Sequence, residues 1–149
     1  MDYEQLMRLA LAEADLAVPH GDVPVGALVL VDGEVIASRH NERELTGDPT
    51  AHAEVLAMRD ACDRLGTWRL DQATLICTLE PCTMCAGALV NARIERVVFG
   101  AADLEAGAVG SVYNFAVDPR LRHNFEVHHN VLGDLCTDHL KTFFASLRT

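Results

Sequence analysis

Apolar residues recur with a helical period near the start of the chain, over residues 3–17. The apolar residues on or beside one face of this segment are Leu6, Leu9, Ala10, Ala14, Leu16 and Ala17. The spacing predicts an amphipathic helix with these residues turned inward, and Pro19 is expected to end it.

Two runs rich in β-forming residues follow in the segment VGALVLVDGEVIASRH. They are joined by Asp32-Gly33, and an Asp-Gly pair between two such runs is the strongest short-range signal for a hairpin. The sequence therefore predicts an antiparallel pair of strands over residues 25–40.

A polar loop and a second helix are predicted over residues 42–66. The apolar residues at the spacing of a buried helix face are Val55, Met58, Cys62 and Leu65. Gly66 follows them, and glycine is a typical residue at the end of a helix, so we expect the helix to stop there.

The second half of the chain has the order strand, helix, strand. The run ATLICTLE predicts a buried strand, Pro81 begins a helix, and RVVFG predicts another strand. This order requires parallel pairing and a right-handed crossover. One more strand in EVHHNVL and a closing helix over residues 133–148 complete an α/β sandwich. The predicted inner face of the closing helix consists of Cys136, Leu140, Phe143 and Leu147.

Length, charge and cysteine content narrow the class of protein. A chain of 149 residues buries one core, and without repeats or linkers we expect one domain over residues 1–149. The net charge of -10 argues against non-specific attraction to nucleic acid or anionic membranes. Residues 1–4 lack the basic start of a signal peptide, and no segment has the length and apolar character of a membrane span. We therefore expect a cytoplasmic protein whose five cysteines stay reduced.

Two cysteines and a histidine fall at the starts of two predicted helices. Cys82 and Cys85 are three residues apart, which places both sulfurs on one face at the positive end of a helix and lowers their pKa values. His52 lies in the first turn of the other crossover helix, at the edge where ligands gather in open α/β sheets. We expect the three side chains to converge on one metal ion.

The predicted ligand set suits zinc. Two thiolates and one imidazole match zinc in charge and softness, and three protein ligands leave a fourth position for water. Zinc lowers the pKa of such a water to about 7, which provides a nucleophile at neutral pH. Glu54, two residues after His52, is near enough to accept a proton and pass it on. The pattern predicts a catalytic zinc site with Glu54 as the proton carrier.

Residues 82–85 alone also allow other interpretations. A thioredoxin-like redox pair has the same spacing, although redox chemistry needs neither His52 nor Glu54. A structural zinc site needs a fourth ligand, and the remaining cysteines are isolated in apolar segments that are typical of a core. These cysteines are Cys62, Cys77 and Cys136. The remaining histidines are interpreted as ordinary polar side chains: His20, His40, His123, His128, His129 and His139.

Several segments together resemble the zinc-dependent nucleobase deaminases. PTAHAE and TLEPCTMCAGA match the H-x-E and P-C-x-x-C signature of that superfamily. DVPVGALV, RVVFGA and AGAVGS extend the resemblance almost from end to end, and the combination is similar to bacterial tRNA adenosine deaminases, which convert the first anticodon adenosine to inosine. The resemblance implies a cytidine deaminase-like three-layer α/β/α sandwich with a mixed five-stranded sheet.

The resemblance also implies roles for the metal-site residues and for partners. His52, Cys82 and Cys85 would hold one Zn²⁺ per chain, and Glu54 would carry the proton. By the same resemblance, the substrate is a tRNA anticodon stem-loop, the active site is completed across a homodimer, and no organic cofactor or membrane is involved.

Four further residues are implied as substrate contacts. Asn41 matches a residue that hydrogen-bonds the nucleoside, and Asp103 matches one that approaches the flanking nucleotide. Val23 and Leu79 match residues that line the base pocket. Without the resemblance, Asn41 would be interpreted as a turn residue and Asp103 as a helix cap.

The sequence departs from this family in one loop, which keeps an alternative substrate open. Where the family often carries the basic residues of RDAKTGA, this chain has AADLEAGA, with Ala102 and Glu105 at the usually basic positions. A deaminase of a free base or nucleoside, of the guanine or cytosine type, would explain these two residues, because an acidic surface does not hinder the binding of such a substrate. A third interpretation is a non-enzymatic α/β domain with a metal or thiol pair, which gives Glu54 no function.

Overall fold

The computed structural model describes residues 1–148, which form one sheet with helices on both of its faces. The strands are β1 (Gly26–Val31), β2 (Glu34–His40), β3 (Ala73–Leu79), β4 (Arg96–Ala101) and β5 (Glu126–His128). The helices are α1 (Tyr3–Asp15), α2 (Arg43–Thr46), α3 (Ala53–Leu65), α4 (Thr83–Ala92) and α5 (Gly133–Ser146), with a 3₁₀ turn at Val18–His20. Among these residues, no helix has the length and apolar character that crossing a bilayer requires.

The sheet is mixed, with the strand order β2-β1-β3-β4-β5. β1 pairs antiparallel with β2 and with β3, whereas β3, β4 and β5 are parallel. In the hairpin between β1 and β2, Asp32 and Gly33 have φ values of 52° and 75°. Positive φ at both turn positions is what the tight right-twisted hairpin requires, so the predicted hairpin is confirmed.

Helices cover both faces of the sheet and make the predicted three-layer sandwich. Helices α3 and α4 cover one face, while α1 and α5 cover the other. Neighbouring residues within a strand point to opposite faces, so each inner strand supplies both cores. The pairs that show this are Leu28 and Val29, Leu75 and Ile76, and Val97 and Val98.

Four chain segments meet at one edge of the sheet. The start of β1 lies beside the end of β3, because Ala27 pairs with Cys77, and the end of β4 lies there too, because Ala101 pairs with Leu79. The end of β2 reaches the same edge through the pairing of His40 with Gly26. The residues that precede β1 and those that follow β2, β3 and β4 are therefore close in space.

The predicted inner face of α1 is partly wrong. Ala10, Ala14 and Ala17 are buried as predicted, and so are Met7 and Leu11, but Leu9 and Leu16 are exposed. The helix ends at Asp15 rather than at Ala17. A Cβ atom on Gly26 would lie 2.0 Å from the carbonyl oxygen of Ala10. The helix backbone thus lies directly on β1, and this contact fixes the rotation of the helix that buries Met7 and Leu11 and exposes Leu9 and Leu16.

The faces predicted for two other helices also need correction. In α3, Met58 is buried as predicted, and Val55 and Cys62 are half-buried against the core, but Leu65 is exposed. The fully buried stripe also includes Ala57 and Ala61. Small alanines again face the sheet. In α5, Cys136 is buried as predicted, but Leu147 lies beyond the last helical residue and is exposed.

Candidate active site

A cavity of about 200 Å³ opens at the edge of the sheet where the four segments meet. The residues that line it are Val23, Val25, Asn41, Arg43, His52, Ala53, Glu54, Leu79, Glu80, Cys82, Asp103 and Ala106. All the residues predicted from the sequence to act on substrate or metal lie here except Cys85, which is buried beside Cys82. The cavity is the candidate active site.

Two helix starts bring the predicted metal ligands together. His52 and Cys82 are the residues immediately before α3 and α4, and both have an extended backbone, with φ and ψ of -76° and 149° for His52 and of -74° and 178° for Cys82. Cys85 follows within the first turn of α4. Their ligand atoms all lie within 4.8 Å of one another.

The spacing of these atoms fits a single tetrahedral metal. The Nδ1 atom of His52 lies 3.6 Å from the sulfur of Cys82 and 3.5 Å from that of Cys85. A nitrogen and a sulfur bound at tetrahedral angles to one zinc ion are about 3.5 Å apart. Across residues 1–148, this group has three possible ligands and no fourth. The donor set can therefore hold a metal ion with an open coordination position.

The protonation of these side chains favours metal binding. A hydrogen bond from Cys85 lowers the pKa of Cys82 to about 4. The hydrogen bond between Cys82 and His52 raises the pKa of the imidazole, while the pKa of Cys85 is raised by its bond to Cys82 and by burial. One thiolate is thus already present at neutral pH, and a thiolate is the form of cysteine that binds metals.

Glu54 is a buried acid beside this cluster. It lies in the first turn of α3, is only 4 % exposed, and borders the cavity. Burial is the main cause that raises its pKa to about 7. A carboxyl group with this pKa exists in both protonation states near neutral pH, which is what a group that accepts and returns a proton needs.

Asn41 and Asp103 line the cavity and also stabilise turns. The Asn41 amide donates to the carbonyl of Val23 over 3.3 Å and accepts from the Arg43 N–H over 3.2 Å. A carboxylate oxygen of Asp103 accepts from the N–H groups of Glu105 and Ala106. The turn interpretation of Asn41 is therefore correct locally, whereas Asp103 stabilises a turn and not the helix start that was expected. Both side chains lie at the cavity.

The other cysteines lie away from the metal ligands. Cys77 and Cys136 are buried in the two cores, as predicted, and Cys62 is half-buried on the outer side of α3. All five cysteines are free thiols.

Three residues at the site were not predicted from the sequence. Arg43 is a basic side chain at the cavity, Glu80 is a buried carboxylate that borders it, and Asp22 is a buried carboxylate that accepts hydrogen bonds from the start of α2. One signal was available, because Glu80 is a charged residue placed directly between a buried strand and Pro81.

Comparison with known proteins agrees with this geometry. The model of the MafB19-like deaminase family matches residues 1–148. A tRNA-specific adenosine deaminase of Bacillus subtilis is 48 % identical over 145 residues, which cover 97 % of this chain and 90 % of that protein. A similar protein from Aquifex aeolicus, also a tRNA-specific adenosine deaminase, is 45 % identical over 148 residues, which cover 99 % of this chain and 97 % of that protein.

Solved structures show the same fold. A structure from a study of A-to-I editing by tRNA:A34 deaminases at the wobble position superposes with a TM-score of 0.88 and 43 % identity, and covers 91 % of this chain and 99 % of that one. A guanine deaminase from Nitrosomonas europaea, at 22 % identity, shares the fold with a TM-score of 0.82 over 95 % of this chain and 84 % of that one. The chain therefore belongs to the MafB19-like deaminases and, within them, to the family of tRNA-specific adenosine deaminases.

Proposed function

We propose that this protein is a zinc-dependent deaminase that converts adenosine to inosine at the first anticodon position of tRNA. The observation that carries the proposal is the meeting of three metal-ligand side chains with the buried acid Glu54 at one cavity. We further propose that residues 1–149 act as a single deaminase domain in the cytoplasm.

The chemistry divides between the metal ligands and Glu54. His52, Cys82 and Cys85 would hold one Zn²⁺, which when bound lowers the pKa of a water in its open position to about 7 and makes it a nucleophile towards C6 of adenine. Glu54 accepts the proton that this water loses. It then donates a proton to the ring nitrogen next to C6 and helps the amine depart as ammonia. Water and adenosine thus give inosine and ammonia.

The cavity walls supply the substrate contacts. Val23 and Leu79 present apolar surface to a base that has been turned out of the RNA stack. Asn41 borders the same space with an amide that can exchange its contact with Val23 for one with the nucleoside. Asp103 lies in the loop on the far wall, where it would approach the neighbouring nucleotide.

The kind of substrate is inferred from the relatives and from the cavity mouth. The similar proteins of B. subtilis and A. aeolicus are tRNA-specific adenosine deaminases. Arg43 supplies a positive charge at the mouth, where a phosphate of the RNA would pass. A free base remains the second candidate, because Ala102 and Glu105 leave the opposite loop without the basic residues that the family usually has there.

A homodimer is supported by an apolar surface on the outer side of α3 and α4. Trp68 is 58 % exposed there, beside a depression lined by Met58, Cys62 and Ala88. Large exposed aromatic side chains in apolar patches are typical of interfaces. Light scattering during size exclusion should give a dimer, Ala88→Arg should give a monomer, and Leu9→Arg on the exposed face of α1 should leave the dimer intact.

The decisive experiment is an assay of inosine formation in an anticodon hairpin. Purified, zinc-loaded protein should convert the adenosine at the first anticodon position and release ammonia. Free guanine and free cytosine, assayed in parallel, should not react. Deamination of a free base without reaction of the hairpin would replace the tRNA proposal with the free-base one, and reaction of neither would remove both.

A further inference from the structure

A buried carboxylate fixes the loop that forms one wall of the active site. Glu80 is 2 % exposed, and both of its oxygens accept hydrogen bonds from the loop over residues 103–111. One oxygen accepts from the Asp103 N–H over 3.1 Å and from the Ser111 hydroxyl. The other accepts from the Val109 N–H over 3.0 Å and from the Ser111 N–H over 3.1 Å.

This loop borders the cavity and contacts the metal-ligand segment. Asp103 and Ala106 line the active-site cavity. The Ala108 N–H donates to the Pro81 carbonyl over 2.9 Å, and Gly107 pairs with Cys82 in an isolated β-bridge. The loop therefore lies directly against the residues that begin α4, and its position determines the shape of the mouth.

Apolar packing holds the middle of the loop, where Ala108 and Val109 lie in the core, but not the segments on either side of it. A second cavity, about 740 Å³ in volume, lies on the other side and is lined by Val109, Gly110 and Ser111 as well as by Glu80. At the tip, Leu104 and Glu105 are exposed. The exposed parts of the loop, residues 104–106 and 110–111, depend on hydrogen bonds for a fixed position, because few packed side chains would resist their movement.

The backbone of the loop fits closely around the carboxylate. A Cβ atom on Gly107 would lie 2.3 Å from the Glu80 carboxylate and 2.5 Å from the carbonyl oxygen of Asp103. Only glycine allows this approach. The chain therefore has both the buried acceptor and the glycine that lets four donors reach it.

We propose that Glu80 is a positioning residue that fixes the 103–111 loop beside the metal site, and that this fixed loop sets the affinity for the RNA substrate. The RNA part rests on the proposed function. In this role Glu80 acts through the loop rather than on the metal or the base, so the chemical step itself does not depend on it.

Glu80→Gln tests whether the carboxylate fixes the loop, because it changes the shape of the side chain very little. Glutamine keeps one acceptor oxygen, but its NH₂ group replaces the other, so at least one backbone N–H of the loop loses its acceptor. The Ser111 hydroxyl can rotate to accept from the NH₂ group. Hydrogen exchange at the amides of Asp103, Val109 and Ser111 should become faster. Glu126→Gln removes the same charge from an exposed position and should leave these amides unchanged. Unchanged exchange in Glu80→Gln would overturn the proposal that Glu80 fixes the loop.

Steady-state kinetics on the hairpin test the consequence. In Glu80→Gln we expect KM to rise up to about tenfold, in line with one or two lost hydrogen bonds, while kcat and zinc content stay near those of the wild type. Loss of zinc, or a fall in kcat with unchanged KM, would show that Glu80 acts elsewhere. If Glu80→Gln does not fold, Ser111→Ala removes a single donor and should give the same changes at smaller size, whereas wild-type exchange and KM in Ser111→Ala would overturn the proposal.

The two experiments separate this proposal from the proposed function. If the wild-type protein does not deaminate the hairpin, the tRNA assignment and the RNA part of the Glu80 proposal both fail. The exchange experiment uses no substrate, so it still decides whether Glu80 fixes the loop.

Discussion

The Nδ1 atom of His52 lies 3.6 Å from the sulfur of Cys82, although 30 positions separate the two residues along the chain. Each is the residue immediately before a helix, and both helices cover the same face of the sheet. Two extended residues at neighbouring helix starts therefore direct their side chains to one point. The cluster of possible metal ligands is a consequence of this topology, and the same fold also brings Glu54 to the cavity.

Zinc content should depend on the three clustered side chains alone. Cys82→Ala, Cys85→Ala and His52→Ala should each lose most bound zinc, because two ligands hold the ion poorly. Cys62→Ala and Cys136→Ala should retain one zinc per chain. Metal analysis of purified variants measures this, and full zinc content in a protein that lacks both Cys82 and Cys85 would contradict the assignment.

Glu54→Gln should separate metal binding from turnover. The carboxylate is outside the ligand cluster, so the variant should fold and keep its zinc. Its rate should fall by about 10² to 10⁴, the usual contribution of a general acid and base. Single-turnover assays on the hairpin, with zinc measured on the same samples, check both parts. Near-normal rates would show that another group carries the proton.

The pKa of Glu54 gives a pH dependence of stability in protein stripped of metal by a chelator. Burial raises this pKa from 4.5 to about 7, so between these values the native state binds more protons than the unfolded state. The contribution of this one group to stability then falls by about 3 kcal/mol as pH rises through this window. The lowered pKa of Cys82 has the opposite effect on stability in both proteins, so the loss must be measured as a difference. In urea unfolding, the stability of the wild type relative to Glu54→Gln should fall as pH rises from 4.5 to about 7. A stability difference between the two proteins that stays constant with pH would contradict the assignment.

Features that depend on neighbours in the sequence could be predicted. The hairpin follows from Asp32-Gly33 because the turn is local, and the pairing of Cys82 with Cys85 follows from one helical turn. The order strand, helix, strand was enough to predict the parallel pairing of β3 and β4, since only one hand of crossover is common.

Features that depend on distant backbone could not be predicted. The close contact of Ala10 with Gly26 determines which face of α1 is buried. The helical period of α1 gives no information about that contact. The role of Glu80 needs donors that lie 23 to 31 positions further along the chain, and Arg43 lies at the cavity on α2, whose start is held by hydrogen bonds to Asp22. Such contacts join segments that have no shared pattern in the sequence.

The exposed loop tip beside the cavity should control how strongly RNA binding depends on salt. Ala102 and Glu105 are exposed there, and the chain carries a net charge of -10, so we expect few phosphate contacts and a shallow fall of hairpin affinity with salt. Ala102→Arg with Glu105→Lys should tighten binding and steepen the slope by about one unit for each additional phosphate that the protein neutralises, with little change in kcat. Gln72→Arg with Glu34→Lys adds the same charge at the opposite end of the sheet and controls for net charge. If both pairs of substitutions affect binding equally, or neither does, the loop does not face RNA and the free-base alternative becomes the better account.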